Sequence, residues 1–94
     1  VPVVVNEGGA ITVSAADDGI HSDDSLTIGA SGATGPTITV SKSTEGIEAA
    51  ALAICSGNIE VHATDDGINA ANSDLADYPF SVAISGGTVY VDVS

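Results

Sequence analysis

Ninety-four residues with thirteen acids, one base and a net charge of −12 allow one domain at most, and that charge argues against nucleic acid or an anionic membrane surface as an unaided partner. The three aromatics are Tyr78, Phe80 and Tyr90, and the apolar content is Val, Ile and Ala with frequent Thr and Gly, which favours strands and tight turns over helices. The longest apolar run, Ala49 to Cys55, is far too short to span a bilayer, so no membrane insertion is expected, and the expected partner is cationic.

In chain order, Val3-Val4-Val5 runs into Gly8-Gly9, and Ile11-Thr12-Val13 then leads to DDGIHS at Asp17 to Ser22. The same sequence of events recurs. Leu26-Thr27-Ile28 closes the first unit, and Ile38-Thr39-Val40 leads to TEGIEAA at Thr44 to Ala50. Leu52-Ala53-Ile54 follows, then Ser56-Gly57-Asn58, Ile59-Glu60-Val61 and TDDGINAA at Thr64 to Ala71. Val82-Ala83-Ile84, the turn Ser85-Gly86-Gly87-Thr88 and Val89-Tyr90-Val91 complete the series. Each triplet is apolar, variable, apolar, the period-two pattern of a strand with one buried face.

Three short strands per unit imply a three-sided coil. Its units are 27, 21 and 30 residues apart, measured at Ile11, Ile38, Ile59 and Val89, so strands keep their length while corners absorb insertions at Gly29 to Pro36 and Asn72 to Pro79. That is solenoid behaviour. The predicted fold is all-β, a right-handed parallel β-helix of about three rungs of three short strands each. A β-sandwich is the alternative, but it requires antiparallel hairpins and gives no reason for one turn sequence to recur. The predicted core is Ile11, Val13, Ile20, Leu26, Ile28, Ile38, Val40, Ile47, Leu52, Ile54, Ile59, Val61, Ile68, Val82, Ile84, Val89 and Val91. Residues 1–94 are read as a single β-helix segment, part of a longer solenoid or of an end-to-end stacked assembly, since both ends of the series are unfinished rungs.

Eight of the thirteen acids lie in or beside the recurring turn: Asp17, Asp18, Asp23, Asp24, Glu45, Glu48, Asp65 and Asp66. Stacking places residues 18, 45 and 66 in one file, 17, 44 and 65 in a second, and 21, 48 and 69 in a third. Two carboxylates about 5 Å apart repel by roughly 0.9 kcal/mol in water and roughly 3 to 4 kcal/mol at the effective dielectric near a protein surface. Such files need raised pKa values, salt or a bound cation, and a set of carboxylates, turn carbonyls and Asn amides suits Ca²⁺. The bland alternative is a solvated acidic face. Gly19, Gly46 and Gly67 are expected to supply a positive φ at the corner. His21 shares the outward slot of Glu48 and Asn69. Neither His21 nor His62 has a Cys or second His at zinc spacing, and Cys55 is a lone small hydrophobe.

The runs DDGIHSDDSLTI, TEGIEAA with ALAI, and SGNIEVHATDDGINAAN with AISGGTVYVDV resemble a family of bacterial and archaeal secreted carbohydrate-binding domains built as calcium-binding right-handed β-helices. That family is similar in fold to pectate lyases and is associated with plant cell-wall polysaccharides, acidic pectin-like chains included. The resemblance implies an extracellular or cell-surface protein with calcium at Asp17, Asp18, Glu45, Asp65 and Asp66, followed by Glu48 and Asn69.

A lyase acting on uronates needs a strong base, usually Arg or Lys; this chain has no Arg and only Lys42. Inverting hydrolysis needs two carboxylates across a cleft, and acids filed along an outer corner provide none, so no catalysis is expected. Binding of an acidic polysaccharide through shared calcium is the favoured function, although Tyr78 and Tyr90 are the only Tyr or Trp side chains on which a sugar could stack. The competing function is structural: a surface fibre, filament or adhesin of copies stacked end to end, with calcium at the corners. Thr12, Thr37 and Thr39 raise an ice-binding face, but Glu60 and Tyr90 break the Thr files.

Overall fold

A computed structural model of the chain describes residues 3–5, 8–72 and 80–94. Nine strands follow one another: β1 (Val3–Val5), β2 (Ala10–Ser14), β3 (Asp18–Ile28), β4 (Thr37–Lys42), β5 (Glu45–Ile54), β6 (Asn58–Ala63), β7 (Ile68–Ala70), β8 (Ser81–Ile84) and β9 (Thr88–Val93). Alternating apolar positions give each strand one face to bury, and stacking each on its counterpart one repeat later buries that face. Every pairing among the described strands is parallel. One sheet runs β1-β3-β5, with β7 and β8 both paired to β5, and the other runs β2-β4-β6-β9. The chain is a parallel β-helix of about three turns, and no described segment is helical.

The register is the one that aligning the Gly-Ile pairs predicts. Ile11, Ile38, Ile59 and Val89 form one inward file, and Val13, Val40, Val61 and Val91 another. Across the interior stand Ile20, Ile47 and Ile68, then Leu26, Leu52 and Val82, then Val5, Ile28, Ile54 and Ile84. One detail differs from the three-strand expectation. In the first two turns the Gly-Ile strand and the Leu-x-Ile strand are continuous, forming the long β3 and β5; in the third they are separate as β7 and β8. The bend survives as a register shift between Ser22 and Ser25, where β3 carries Asp23 and Asp24 against the single Ala50 of β5. An extra residue in one partner is a β-bulge, which turns a strand without ending it.

Burial divides the predicted core by rung. Leu26, Ile28, Ile38, Val40, Ile47, Leu52, Ile54, Ile59 and Val61 are buried, and Val13, Ile20, Ile68 and Val89 pack against them half-buried. Ile11, Val82, Ile84 and Val91 are exposed, contrary to the core assignment. They keep the inward register but stand in outer turns, where among the described residues each has a stacking partner on one side. Ala49, Ala50 and Ala63 are buried as well; their small side chains carry too weak a hydropathy signal to stand out in a sequence rich in alanine.

The recurring glycine has a different role from the expected one. Positive φ occurs at Gly9, Gly29, Gly32, Gly35, Gly57 and Gly87, and Gly19, Gly46 and Gly67 are not among them. What these three provide is room. A Cβ on Gly19 would lie 2.6 Å from Val40 Cγ1 and 2.6 Å from the Gly46 carbonyl oxygen. One on Gly46 would collide with Val61 Cγ1, and one on Gly67 with Val91 Cγ1. At the acidic corner the two sheets thus close too tightly for a side chain at these three positions. The left-handed conformation is used at the Gly-rich corner instead, where Gly57 has φ 113° and its carbonyl accepts from Thr88 N at 2.9 Å.

Candidate cation-binding corner and polar outer face

The corner backbone fixes the acid files. Asp17 O accepts from Thr44 N at 2.7 Å, Thr44 O from Asp65 N at 2.9 Å, and Asp66 O from Gly46 N at 2.9 Å. The Thr44 hydroxyl donates to Ala16 O at 2.9 Å, tying this turn to the one before it. Asp18 pairs with Glu45, His21 with Glu48 and Glu48 with Asn69.

Three overlapping groups result, each with its potential ligand atoms within 4.8 Å of one another: Asp17, Asp18 and Glu45; Glu45, Asp65 and Asp66; and Asp18, His21 and Glu48. The structure therefore draws together the six acids assigned to calcium: Asp17, Asp18, Glu45, Glu48, Asp65 and Asp66. Asn69 joins them by donating from Nδ2 to Glu45 Oε2 at 2.9 Å and to Glu48 Oε2 at 2.8 Å. His21 is the member that sequence spacing did not put in the set. Its Nδ1 lies 3.2 Å from Asp18 Oδ2 and 3.3 Å from Glu48 Oε1, and its Nε2 lies 2.7 Å from Asp23 Oδ1. The bulge presents Asp23 to the ring. The shared slot of His21, Glu48 and Asn69 was the available signal.

Electrostatics follow the crowding. Burial, then Asp17 and Glu45, push the Asp18 carboxyl above its ordinary value, with His21 opposing. Burial and a hydrogen bond with Glu45 raise Glu48, with Asn69 opposing. The hydrogen bond to Asp23, helped by Asp18 and Glu48, raises His21 against a smaller opposing effect of burial. When protonated, His21 is an internal counter-charge for the third group. The other two groups offer carboxylate oxygens alone, a hard donor set. Asp18 Oδ1 is buried without a hydrogen-bond partner, and an unmatched buried oxygen costs free energy unless something compensates it. Asp17, Asp18, Glu45, Asp65 and Asp66 are consequently the residues able to hold a hard cation, with Glu48 and Asn69 beside them.

Two hollows on the described surface are lined by Gly8, Gly9, Ala30, Ala33, Thr34, Gly35 and Thr37, and by Ser41, Lys42, Ser43, His62, Ala63, Thr64 and Ser94. Neither contains a corner acid. The second adjoins the outer face of the β2-β4-β6-β9 sheet, where Thr12, Thr39, Glu60 and Tyr90 form one file and His62 pairs with Asp92. Of the two Tyr side chains, Tyr90 is exposed on this face, and Tyr78 lies outside the described residues.

These features define a β-solenoid with a carboxylate-lined corner and a polar outer sheet. Residues 2–94 match a family described as "Carbohydrate-binding domain-containing protein", and the chain belongs to that family. No curated protein and no solved structure matches it.

Proposed function

We propose that the chain is a non-catalytic, extracellular carbohydrate-binding module whose acidic corner holds calcium and shares it with the carboxylates of an acidic polysaccharide. Family membership supports the carbohydrate, and the observation that carries the cation is the buried, unpartnered Asp18 Oδ1 within the Asp17, Asp18 and Glu45 group. A chain of net charge −12 would meet a polyuronate with repulsion unless a cation lay between them. Calcium accepts six to eight oxygen ligands in irregular geometry, so protein carboxylates need not fill its coordination shell and sugar carboxylates can complete it. Catalysis is not part of the reading, because the acids line an outer corner rather than a hollow and the chain's single strong base is Lys42.

Calcium titration followed by calorimetry and thermal melting tests the cation. Saturating calcium is expected to raise the melting temperature, and Asp18→Asn and Glu45→Gln are expected to weaken the effect at least tenfold in affinity. A melting temperature that EDTA and calcium leave unchanged overturns it. Retardation by polygalacturonate in calcium, abolished by chelator, tests the ligand.

A second reading, a structural subunit stacked end to end, draws on the exposed apolar side chains Val82, Ile84, Val91 and Val93. Sedimentation with and without calcium separates the two. Filaments favour the subunit, and a monomer retarded by polygalacturonate favours the binder.

A further inference from the structure

The outer face of the β2-β4-β6-β9 sheet carries a two-by-two block of side chains that the acidic corner does not use. Glu60 and His62 stand two residues apart on β6, and Tyr90 and Asp92 pair with them on β9. His62 organises the block. Its Nε2 lies 2.8 Å from Glu60 Oε2, its Nδ1 lies 3.3 Å from Asp92 Oδ2, and its ring meets that of Tyr90 edge-on with centroids 6.2 Å apart. Both ring nitrogens face a carboxylate, so the imidazole when protonated can donate to both at once and bridge them beside the aromatic ring. Tyr90 is 56% exposed and Glu60 and Asp92 about as much, so the block faces solvent. An exposed aromatic ring with an apolar face and a polar edge suits a partner that has both characters. Each carboxylate has one oxygen not committed to His62 in this pairing, and an ionised oxygen accepts strong hydrogen bonds from hydroxyl groups.

The chemistry selects among glycans. Two carboxylates on one flat face disfavour a uronate chain unless a cation intervenes, whereas the hydroxyls of an uncharged pyranose are donors for them and its C–H face can lie on the Tyr90 ring. The surface beside the block is open rather than enclosed. It leads into the shallow hollow of about 190 Å³ bordered by Ser41, Lys42, Ser43, His62, Thr64 and Ser94, smaller than the roughly 300 to 1,000 Å³ common for enclosed small-molecule sites. An extended chain lying across the strands fits this shape better than a small molecule held in a cavity.

We propose that this face is a second glycan site, independent of the corner, which binds an uncharged polysaccharide by stacking a sugar ring on Tyr90 and hydrogen-bonding its hydroxyls to Glu60 and Asp92. The proposal rests on the carbohydrate-binding reading but not on its calcium.

Affinity electrophoresis through gels containing hydroxyethylcellulose, a galactomannan or polygalacturonate, each run with EDTA and with calcium, tests the proposal. At least one uncharged polymer is expected to retard the protein in EDTA. Tyr90→Ala should weaken that retardation at least tenfold while leaving the melting temperature within a few degrees, and Tyr90→Phe should preserve it. Glu60→Gln with Asp92→Asn should weaken it too, and Asp66→Asn at the corner should not. Retardation by uncharged polymer that survives Tyr90→Ala overturns the proposal. So does retardation by polygalacturonate alone, in calcium alone, which leaves the corner reading standing. Absence of retardation by every polymer in both conditions overturns both.

Discussion

Gly46 shows how one residue sets the shape of the corner. Its backbone is not in the left-handed region, yet a β-carbon there would collide with Val61 Cγ1 and approach the Gly67 carbonyl oxygen to 2.6 Å. The obstacle is the opposite sheet, one rung along. Gly46→Ala is expected to destabilise the fold by about 1 to 3 kcal/mol, the usual range for overpacking a filled interior. Adding Val61→Ala should recover part of that loss, because it removes the atom in the way. Denaturant unfolding of the two single variants and the double variant measures the coupling, and strictly additive losses would refute the contact.

At the scale of the element, the ladder of like residues in β3, β5 and β7 sets the response to pH. Asp18 and Glu48 hold their protons more tightly folded than unfolded, chiefly because burial disfavours their charged forms. The folded state therefore binds more protons through the carboxylate range. Stability from these two groups is greatest below their ordinary values of 3.8 and 4.5 and declines as pH rises through their raised folded values. His21, raised by Asp23, Asp18 and Glu48, contributes stability that is full below 6.5 and is lost as pH climbs through its raised value. Cation-free protein is thus expected to melt at progressively lower temperature from about pH 4 to pH 8, since all three shifts have the same sign. His21→Gln should flatten the upper part of that curve. Saturating calcium should reverse the slope across the carboxylate range, because the ion favours ionised ligands. A melting temperature that rises with pH in EDTA would contradict the electrostatic account. The outer sheet behaves differently: His62 is also raised, first by its hydrogen bond to Glu60, but the block is open to solvent, where such pairs contribute little to stability.

For the whole molecule, stacking decides what a side chain is worth. Ile54 and Ile84 occupy the same inward file, yet Ile54 is fully buried and Ile84 is 53% exposed. Ile54→Ala is expected to lose about 2 to 5 kcal/mol, as for other buried aliphatic truncations, and Ile84→Ala less than about 1.5 kcal/mol, since much of its surface never leaves water. Chemical denaturation of this chain checks the contrast, and equal losses would mean that Ile84 is buried in solution against something further.

Much of the architecture is legible in the sequence because a solenoid repeats its own instructions. Aligning Asp18-Gly19-Ile20, Glu45-Gly46-Ile47 and Asp66-Gly67-Ile68 yields both the parallel register and the acid files, since neighbours in space occupy equivalent positions in the repeat. The same local logic places Glu48 beside Asn69. It fails where contact runs across the interior instead of along the ladder. The conformational role assigned to the corner glycines was wrong for this reason: the space they provide is set by Val40, Val61 and Val91 of the facing sheet, at no fixed sequence distance. It fails again at the bulge, where one additional residue in β3 brings Asp23 onto His21, and at Ile11, Val82, Ile84 and Val91, whose pattern is that of a core although among the described residues each has a neighbouring rung on one side. Periodicity alone thus determined the fold, the register and the charge on the corner. Tertiary structure alone decided that Asp18 keeps an unpartnered buried oxygen, that His21 meets Asp18, Asp23 and Glu48, and that Glu60, His62, Tyr90 and Asp92 meet on one face, because these depend on distances across rungs and sheets that a repeat does not encode.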